Sequence, residues 1–227
     1  MKYDDIDPGR RALLLAALAS GLFDPRANPV LAAVSSRSVH RLRGELRVNG
    51  ALADANAVIA AGDLVETGAD SEVVFSVADD AFILRAHSRL QLAAAPADSA
   101  VVEGLRVFTG ALLSVFGKRS HRLDTPIATI GIRGTGVYVE VEPEQDYVCT
   151  CYGVTEVAAQ GDPASMSVVE SGHHEARYIV KSGASDERVR QAPFKNHTDD
   201  ELTLIESLVG RVPEFSGDYE RPRRRNY

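Results

Sequence analysis

The chain has 227 residues and a formal net charge of −7, with 32 acidic against 25 basic side chains. Proteins that bind DNA or RNA normally present a net basic face that displaces counterions from the phosphates, so this charge balance argues against a nucleic-acid partner. The length can bury a core and is sufficient for one domain with appendages, which we favour over two small domains.

The N-terminal segment, residues 1–36, is predicted to be an export signal or a membrane anchor. Arg10 and Arg11 precede an apolar run, residues 12–18, which is followed by the small residues Ala19 and Ser20. This order is typical of a signal peptide, and the paired arginines are similar to a twin-arginine signal. We therefore expect a periplasmic or otherwise extracytoplasmic protein, either cleaved near Ala19 or tethered to the membrane. The alternative is an amphipathic or buried N-terminal helix.

Residues 37–168 are predicted to form a mainly β domain. Short alternating runs recur there, and glycine, aspartate or asparagine separates them. The gaps are too short for crossover helices, which argues against a parallel βαβ arrangement and leaves a sandwich, a barrel or a solenoid of short rungs. The predicted strands are 45–48, 63–66, 72–77, 82–85, 89–92, 105–107, 111–116, 127–130, 137–141, 147–151 and 154–158. The alanine-rich stretch 93–100 is predicted to be a surface connection.

The stretch 124–141 reads DTPIATIGIRGTGVYVEV and combines turn-forming residues with alternation. Thr125 and Pro126 predict an extended strand entry, because proline fixes φ and restricts the residue before it. From residue 137 onward valines alternate with Tyr138 and glutamates, which predicts a half-buried strand. Arg133 is predicted to lie in a tight turn because three glycines surround it: Gly131, Gly134 and Gly136.

Six segments stand in a fixed order within about residues 37–157: 44–48 and 62–68 open the pattern, 71–75 and 110–115 continue it, and 125–126 and 132–135 close it. In this order they resemble a FecR-type domain, the ligand-responsive extracytoplasmic module of ferric-citrate regulator proteins. The motif residues that carry the resemblance are Gly62, Asp63, Thr67, Gly68, Thr125, Pro126, Arg133, Gly134 and Thr135.

The resemblance implies a β-rich periplasmic domain, a twisted sandwich or an irregular β-solenoid, that senses or transmits a signal by binding another envelope or membrane protein without catalysis. Familiar regulators also carry a sigma-factor-binding segment and a transmembrane helix ahead of this domain. Neither fits into residues 1–36, so we expect a stand-alone exported form. For Arg133, Gly134 and Thr135 we favour a structural role at strand ends over ligand contact.

Two cysteines, Cys149 and Cys151, stand two residues apart in a predicted strand, so their thiols are expected on the same side. Such thiols can share a soft metal, be oxidised together in an exported protein, or pack in the core. A disulfide between them would need bent geometry, because next-but-one residues of an extended strand hold their Cα atoms at about the upper limit of a bridge.

Histidines in the C-terminal third complete a candidate metal site. Cys149 and Cys151 with His197 and either His173 or His174 would supply two thiolates and two imidazoles, a set that suits zinc, copper or iron. Haem is a further possibility. Adjacent histidines on a strand face opposite ways, so we expect one of the pair to join the site unless a turn intervenes.

We expect no catalysis at these thiols. A nucleophilic cysteine paired with histidine is disfavoured here, because catalytic thiols gain from an electropositive setting such as a helix N-terminus, and these thiols lie in a strand pattern.

The C-terminal extension, residues 169–215, is predicted to contain an amphipathic helix. Thr198 and Glu201 form a capping box that opens it, and Gly210 is placed to end it. The broad apolar face, with Leu202 and Ile205 at its centre, is expected to dock onto an open β face, with a partner surface as the alternative. The basic tail, residues 216–227, is expected to be disordered, and with the N-terminal segment it offers the only expected membrane contact.

Overall fold

The computed structural model describes residues 38–95 and 98–216. The predicted export segment, residues 1–36, and the predicted basic tail beyond residue 216 lie outside the described residues. Within the described ranges, no helix combines the length and apolar character needed to span a membrane.

The fold is mainly β, as predicted from the sequence. Across residues 38–95 and 98–216, fourteen strands belong to one sheet, and a single α-helix follows them. The strands are β1 (Val39–Arg43), β2 (Leu46–Val48), β3 (Ala51–Ala53), β4 (Leu64–Thr67), β5 (Glu72–Val77), β6 (Asp80–Leu84), β7 (Arg89–Ala95), β8 (Asp98–Val115), β9 (Ser120–Asp124), β10 (Ala128–Val141), β11 (Gln145–Ala159), β12 (Asp162–Ser171), β13 (Glu175–Val180) and β14 (Val189–Ala192). A 3-10 turn (Ser185–Glu187) precedes β14, and helix α1 (Asp199–Leu208) follows it.

Three long strands, β8, β10 and β11, form the centre of the sheet. β10 and β11 pair as an antiparallel hairpin, β8 pairs with the second half of β10, and β9 joins β8 in parallel. β11 has two successive partners on its other edge: β13 pairs with residues 145–150, and β12 pairs with residues 153–159. The chain between β12 and β13 therefore crosses beside Cys151 and Tyr152, where the partner of β11 changes.

The sheet is buried on both faces at its centre. Neighbouring residues enter two separate apolar clusters: Leu112 and Val139 lie in the larger one, whereas Leu113 and Tyr138 lie in the smaller one. We call the smaller one the cysteine-side cluster. Its buried members are Val74, Ala81, Ile83, Leu113, Val115, Tyr138, Tyr147, Cys149, Cys151, Tyr152, Ala176, Leu202 and Ile205.

Helix α1 covers the cysteine-side cluster, which confirms the prediction that its apolar face docks onto the sheet. Leu202 and Ile205 are fully buried in the cluster. The predicted capping box is also present: Thr198 Oγ1 accepts from the backbone N–H of Glu201 at 3.2 Å, and the Glu201 carboxylate accepts from the N–H of Thr198 at 3.0 Å.

Two sequence predictions about turns were wrong. Arg133 does not lie in a tight turn, because β10 runs continuously through it and the register with β11 shifts between Arg133 and Gly136. Gly134 has a φ of +53° and accommodates this irregularity as a bulge, so that the strand continues. The predicted surface connection 93–100 is instead occupied by the end of β7 and the start of β8, because cross-strand pairing outweighs the low β propensity of alanine.

The strands at the centre are also longer than the sequence predicted. Three continuous strands replace three predicted pairs of short strands. β8 replaces 105–107 and 111–116, β10 replaces 127–130 and 137–141, and β11 replaces 147–151 and 154–158. The predicted half-buried pattern after residue 136 is likewise corrected, since Val137, Tyr138 and Val139 are all buried.

Candidate metal centre

Four side chains from three separate segments converge on one point inside the cysteine-side cluster. Cys149 Sγ, Cys151 Sγ, His174 Nδ1 and His197 Nε2 all lie within 4.8 Å of one another. Cys149 Sγ is 3.8 Å from His174 Nδ1, Cys151 Sγ is 3.4 Å from His197 Nε2, and the two ring nitrogens are 3.2 Å apart. The structure therefore brings together four of the five side chains that the sequence analysis singled out, and it selects His174 over His173.

Strand β11 positions the two cysteines. Because alternate residues of a strand face the same side, Cys149 and Cys151 both enter the cysteine-side cluster, as predicted, and both are free and fully buried. β10 on one side and β13 on the other hold this part of the strand, with Cys149 opposite Tyr138 and Ala176.

A bend between β12 and β13 positions His174. Its φ is +55°, an uncommon value for a residue with a side chain, and its backbone N–H donates to the carbonyl of Cys151 at 2.8 Å. A bend is present at residues 172–173, yet only one of the two adjacent histidines joins the cysteines. His174 points inward with its side chain only 9% exposed, whereas the His173 side chain is 52% exposed.

The connection between β14 and α1 positions His197. Asn196 precedes it with a φ of +62°, and the buried imidazole stacks on the Tyr138 ring with 4.4 Å between ring centroids. Phe194 lies against the rings of both His174 and His197, at 4.3 Å and 4.7 Å. These aromatic contacts shield the convergence point from water and restrict both imidazoles.

Each imidazole has one nitrogen at the convergence point and one that points away from it. The hydrogen bond of the nitrogen that points away fixes the tautomer of the ring. His197 Nδ1 lies 2.8 Å from the carbonyl oxygen of Lys195, which can only accept, so Nδ1 carries the hydrogen. His174 Nε2 lies 2.7 Å from Asp199 Oδ1 and likewise donates. In the neutral imidazoles, His174 Nδ1 and His197 Nε2 therefore present lone pairs to each other, which repel unless a proton or a cation lies between them.

The local electrostatics favour the metal-binding thiolate form at Cys149 but not at Cys151. The hydrogen bond with Cys151, aided by contacts to His174 and His197, lowers the pKa of the Cys149 thiol to about 4 although burial opposes this. Burial raises the pKa of Cys151, and the neighbouring Cys149 raises it further. Burial lowers the pKa of His174, but hydrogen bonds to Cys149 and Asp199 outweigh burial and raise it overall. The direction of the Cys149 shift favours the thiolate, which is the form of cysteine that binds a metal.

Asp199 and the aromatic residues are parts of the site that the sequence analysis did not identify. The Asp199 carboxylate accepts from His174 at 2.7 Å and from His173 at 3.0 Å. Its position two residues after His197 was the available signal. For Phe194 and Tyr138 no pattern in the sequence indicated contact with a histidine. The outer group of His173, His174 and Asp199 is a second, more exposed set of possible metal ligands.

The FecR-type motif residues lie in turns and strands of the sheet and make local contacts. Asp63 accepts from Asn49 and from the N–H of Ala60. Thr67 Oγ1 donates to the carbonyl of Arg85 and accepts from the N–H of Ser88. The N–H groups of Gly62 and Gly68 donate to the carbonyls of Leu92 and Glu45. Thr125 Oγ1 donates to the Asp146 carboxylate and accepts from the N–H of Ala128. The Arg133 guanidinium donates to the Glu156 carboxylate. Pro126 is exposed, Gly134 forms the bulge, and Thr135 is buried.

No protein-family model matches this chain, and no curated protein matches it. Similar solved structures include two crystal structures of a candidate anti-sigma factor from Parabacteroides distasonis ATCC 8503. Each is 13% identical in sequence, with TM-scores of 0.44 and 0.43, and the similarity covers 52% of this chain and 55% of the other. The chain thus spans about half the length of these structures, and a likeness of this extent assigns it neither a family nor a function. The FecR-type resemblance stays a prediction.

Proposed function

We propose that this chain is a non-catalytic metal-binding domain that holds one ion of the zinc class through Cys149, Cys151, His174 and His197. The observation that supports it is the spacing of the four donor atoms. With Zn–S bonds of about 2.3 Å and Zn–N bonds of about 2.0–2.1 Å, a tetrahedral site separates sulfur from nitrogen by about 3.6 Å and nitrogen from nitrogen by about 3.3 Å. The corresponding separations here are 3.8 Å and 3.4 Å for sulfur to nitrogen, and 3.2 Å for nitrogen to nitrogen.

The outer hydrogen bonds support the same proposal. Histidines that bind metals usually donate their second ring N–H to a carboxylate or a backbone carbonyl, which fixes the tautomer and increases the basicity of the ligating nitrogen. Asp199 supplies the carboxylate for His174, and Lys195 supplies the carbonyl for His197. Two unrelated segments thus both present the nitrogen that a metal requires.

The donor set also indicates what the ion would do. Four protein ligands complete a tetrahedron, so no position remains for a water molecule or a substrate, as it would in a hydrolytic zinc site. Thiolates and imidazoles favour zinc, copper and iron over magnesium or calcium, which prefer oxygen. A closed site in a buried cluster fits a structural or sensing role.

Titration of the full chain with Co²⁺, an optical substitute for Zn²⁺, tests the proposal. We expect one equivalent to produce the visible bands of tetrahedral Co²⁺ together with thiolate charge-transfer absorption, and Zn²⁺ to displace them. His174→Ala should abolish both signals, whereas His173→Ala, which alters the adjacent exposed ring, should retain them. Spectra without thiolate charge transfer, or equal effects of the two variants, would contradict the proposed ligand set.

A second candidate function follows from the ordered motif segments. We propose that the domain is an exported, FecR-like sensing module that acts through another envelope or membrane protein, and the mainly β fold is compatible with this role. A fusion of residues 1–36 to a phosphatase that is active only outside the cytoplasm tests the export step. An inactive fusion that is expressed in full would contradict it.

A further inference from the structure

We infer that metal occupancy controls whether the first turn of helix α1 docks onto the sheet, an inference that rests on the metal site proposed above. The four ligands come from β11, from the bend before β13 and from the residue that precedes the cap of α1. One ion would therefore join the sheet to the start of the helix. Because the unfolded chain holds no such preformed site, the free energy of metal binding stabilises the contacts that assemble it.

The site and the helix share residues at the N-terminal end of α1. His197 directly precedes the N-cap residue Thr198, and Asp199 is the first residue of the helix. Asp199 accepts from His174 Nε2 at 2.7 Å. A cation on His174 Nδ1 would polarise the ring and strengthen this hydrogen bond, so that the ion would bind the first turn through both His197 and Asp199.

Helix α1 depends on such contacts because it is short. It has ten residues, and isolated helices below about 12–15 residues are marginal in water. Its first turn also forms an ion pair with the sheet, between Glu201 and Arg85 at 2.6 Å. Apolar contacts come from Leu202 and Ile205, which lie in the middle of the helix.

The C-terminal half of α1 has a separate attachment to the sheet. Glu206 is buried, and its carboxylate accepts from the Tyr152 hydroxyl and, at 2.6 Å, from Arg211 Nε. Arg211 Nη1 also donates to the carbonyl of Asp79 at 2.5 Å. None of these groups is a ligand of the proposed site. Loss of the ion should therefore loosen the first turn more than the last turn.

Amide hydrogen exchange on the full chain, loaded with Zn²⁺ or stripped with a chelator, tests this inference. We expect stripping to accelerate exchange in peptides covering residues 194–204 by about tenfold or more, as expected for a local opening. Peptides covering residues 205–211 should change less, and the β5–β6 hairpin, residues 72–84, should not change. Zn²⁺ added to the stripped chain should restore protection.

Cys151→Ser is the control variant that distinguishes the buried site from the outer group. It removes a ligand of the buried site and keeps His173, His174 and Asp199. Zn²⁺ should not protect residues 194–204 in this variant, and protection there would overturn the inference. Unchanged exchange on stripping, in a chain shown by its metal content to bind Zn²⁺, would overturn it and leave the proposed function intact. An equal rise of exchange in the β5–β6 hairpin would also overturn the inference. A chain that retains no Zn²⁺ would overturn both the inference and the proposed function.

Discussion

Replacing Gly153 by alanine should strongly destabilise the sheet. Gly153 lies in β11, two residues after Cys151. Gly153 has a φ of +86°, and a Cβ atom there would lie 2.7 Å from the Cβ of Thr135 and 3.3 Å from the carbonyl oxygen of Gly134. Thr135 is buried beside the β10 bulge and cannot move into solvent. The substitution therefore combines backbone strain with a steric conflict inside the packed sheet.

The structure allows the two contributions to be estimated separately. A side chain in the left-handed region costs roughly 1–2 kcal/mol. Inserting a methyl group into a well-packed interior typically costs about 1–3 kcal/mol. The expected loss in the free energy of unfolding is therefore about 2–5 kcal/mol, a large part of the roughly 5–15 kcal/mol that stabilises an ordinary domain.

Gly161→Ala provides a matched control for the backbone contribution. Gly161 has a φ of +71°, but a Cβ atom there would have no neighbour within 4 Å, so only the strain of about 1–2 kcal/mol should apply. Urea denaturation followed by far-ultraviolet circular dichroism measures both variants, at the same metal content because a bound ion adds stability. If the two losses agree within about 0.5 kcal/mol, the contact between Gly153 and Thr135 is refuted.

Three further substitutions, two of them paired with a control substitution, test helix α1 and its link to the site. Leu202→Ala should lower the free energy of unfolding by roughly 2–5 kcal/mol because the side chain is fully buried, whereas Leu204→Ala, at a side chain that is 36% exposed, should change it by less than about 0.5 kcal/mol in the same urea assay. Thr198→Ala should cost about 1 kcal/mol through loss of the N-cap, and an unchanged urea midpoint would contradict this. Asp199→Asn should weaken Zn²⁺ affinity by about 10–100-fold, whereas Asp200→Asn, which removes the same charge from the same turn, should leave it unchanged. Competition with a chromophoric chelator measures both affinities, and equal values would argue against the contact with His174.

Features that depend on a few neighbouring residues could be predicted from the sequence. The capping box that opens α1 and the shared side of Cys149 and Cys151 both follow from local geometry, and the structure contains both. The mainly β class followed from strand spacing that leaves no space for crossover helices. In these cases the chain itself supplies the constraint.

Features that depend on pairing between distant strands could not be predicted. The bulge at Gly134 exists because β10 shifts register against β11, and glycine content alone does not distinguish a bulge from a turn. His174 joins the site instead of His173 because of the position at which the pairing partner of β11 changes from β12 to β13. No local sequence pattern predicts that position. The contact between Asp199 and His174 likewise arises only when α1 docks.

X-ray absorption at the zinc edge, on the full chain loaded with one equivalent of Zn²⁺, tests the central proposal most directly, because it counts sulfur and nitrogen neighbours of the ion. The account predicts two sulfur atoms at about 2.3 Å and two nitrogen atoms at about 2.0–2.1 Å. Cys151→Ser should abolish stoichiometric Zn²⁺ binding at this site. A shell of nitrogen and oxygen alone would place the ion at the exposed histidines and Asp199, and would contradict the buried site of two cysteines and two histidines.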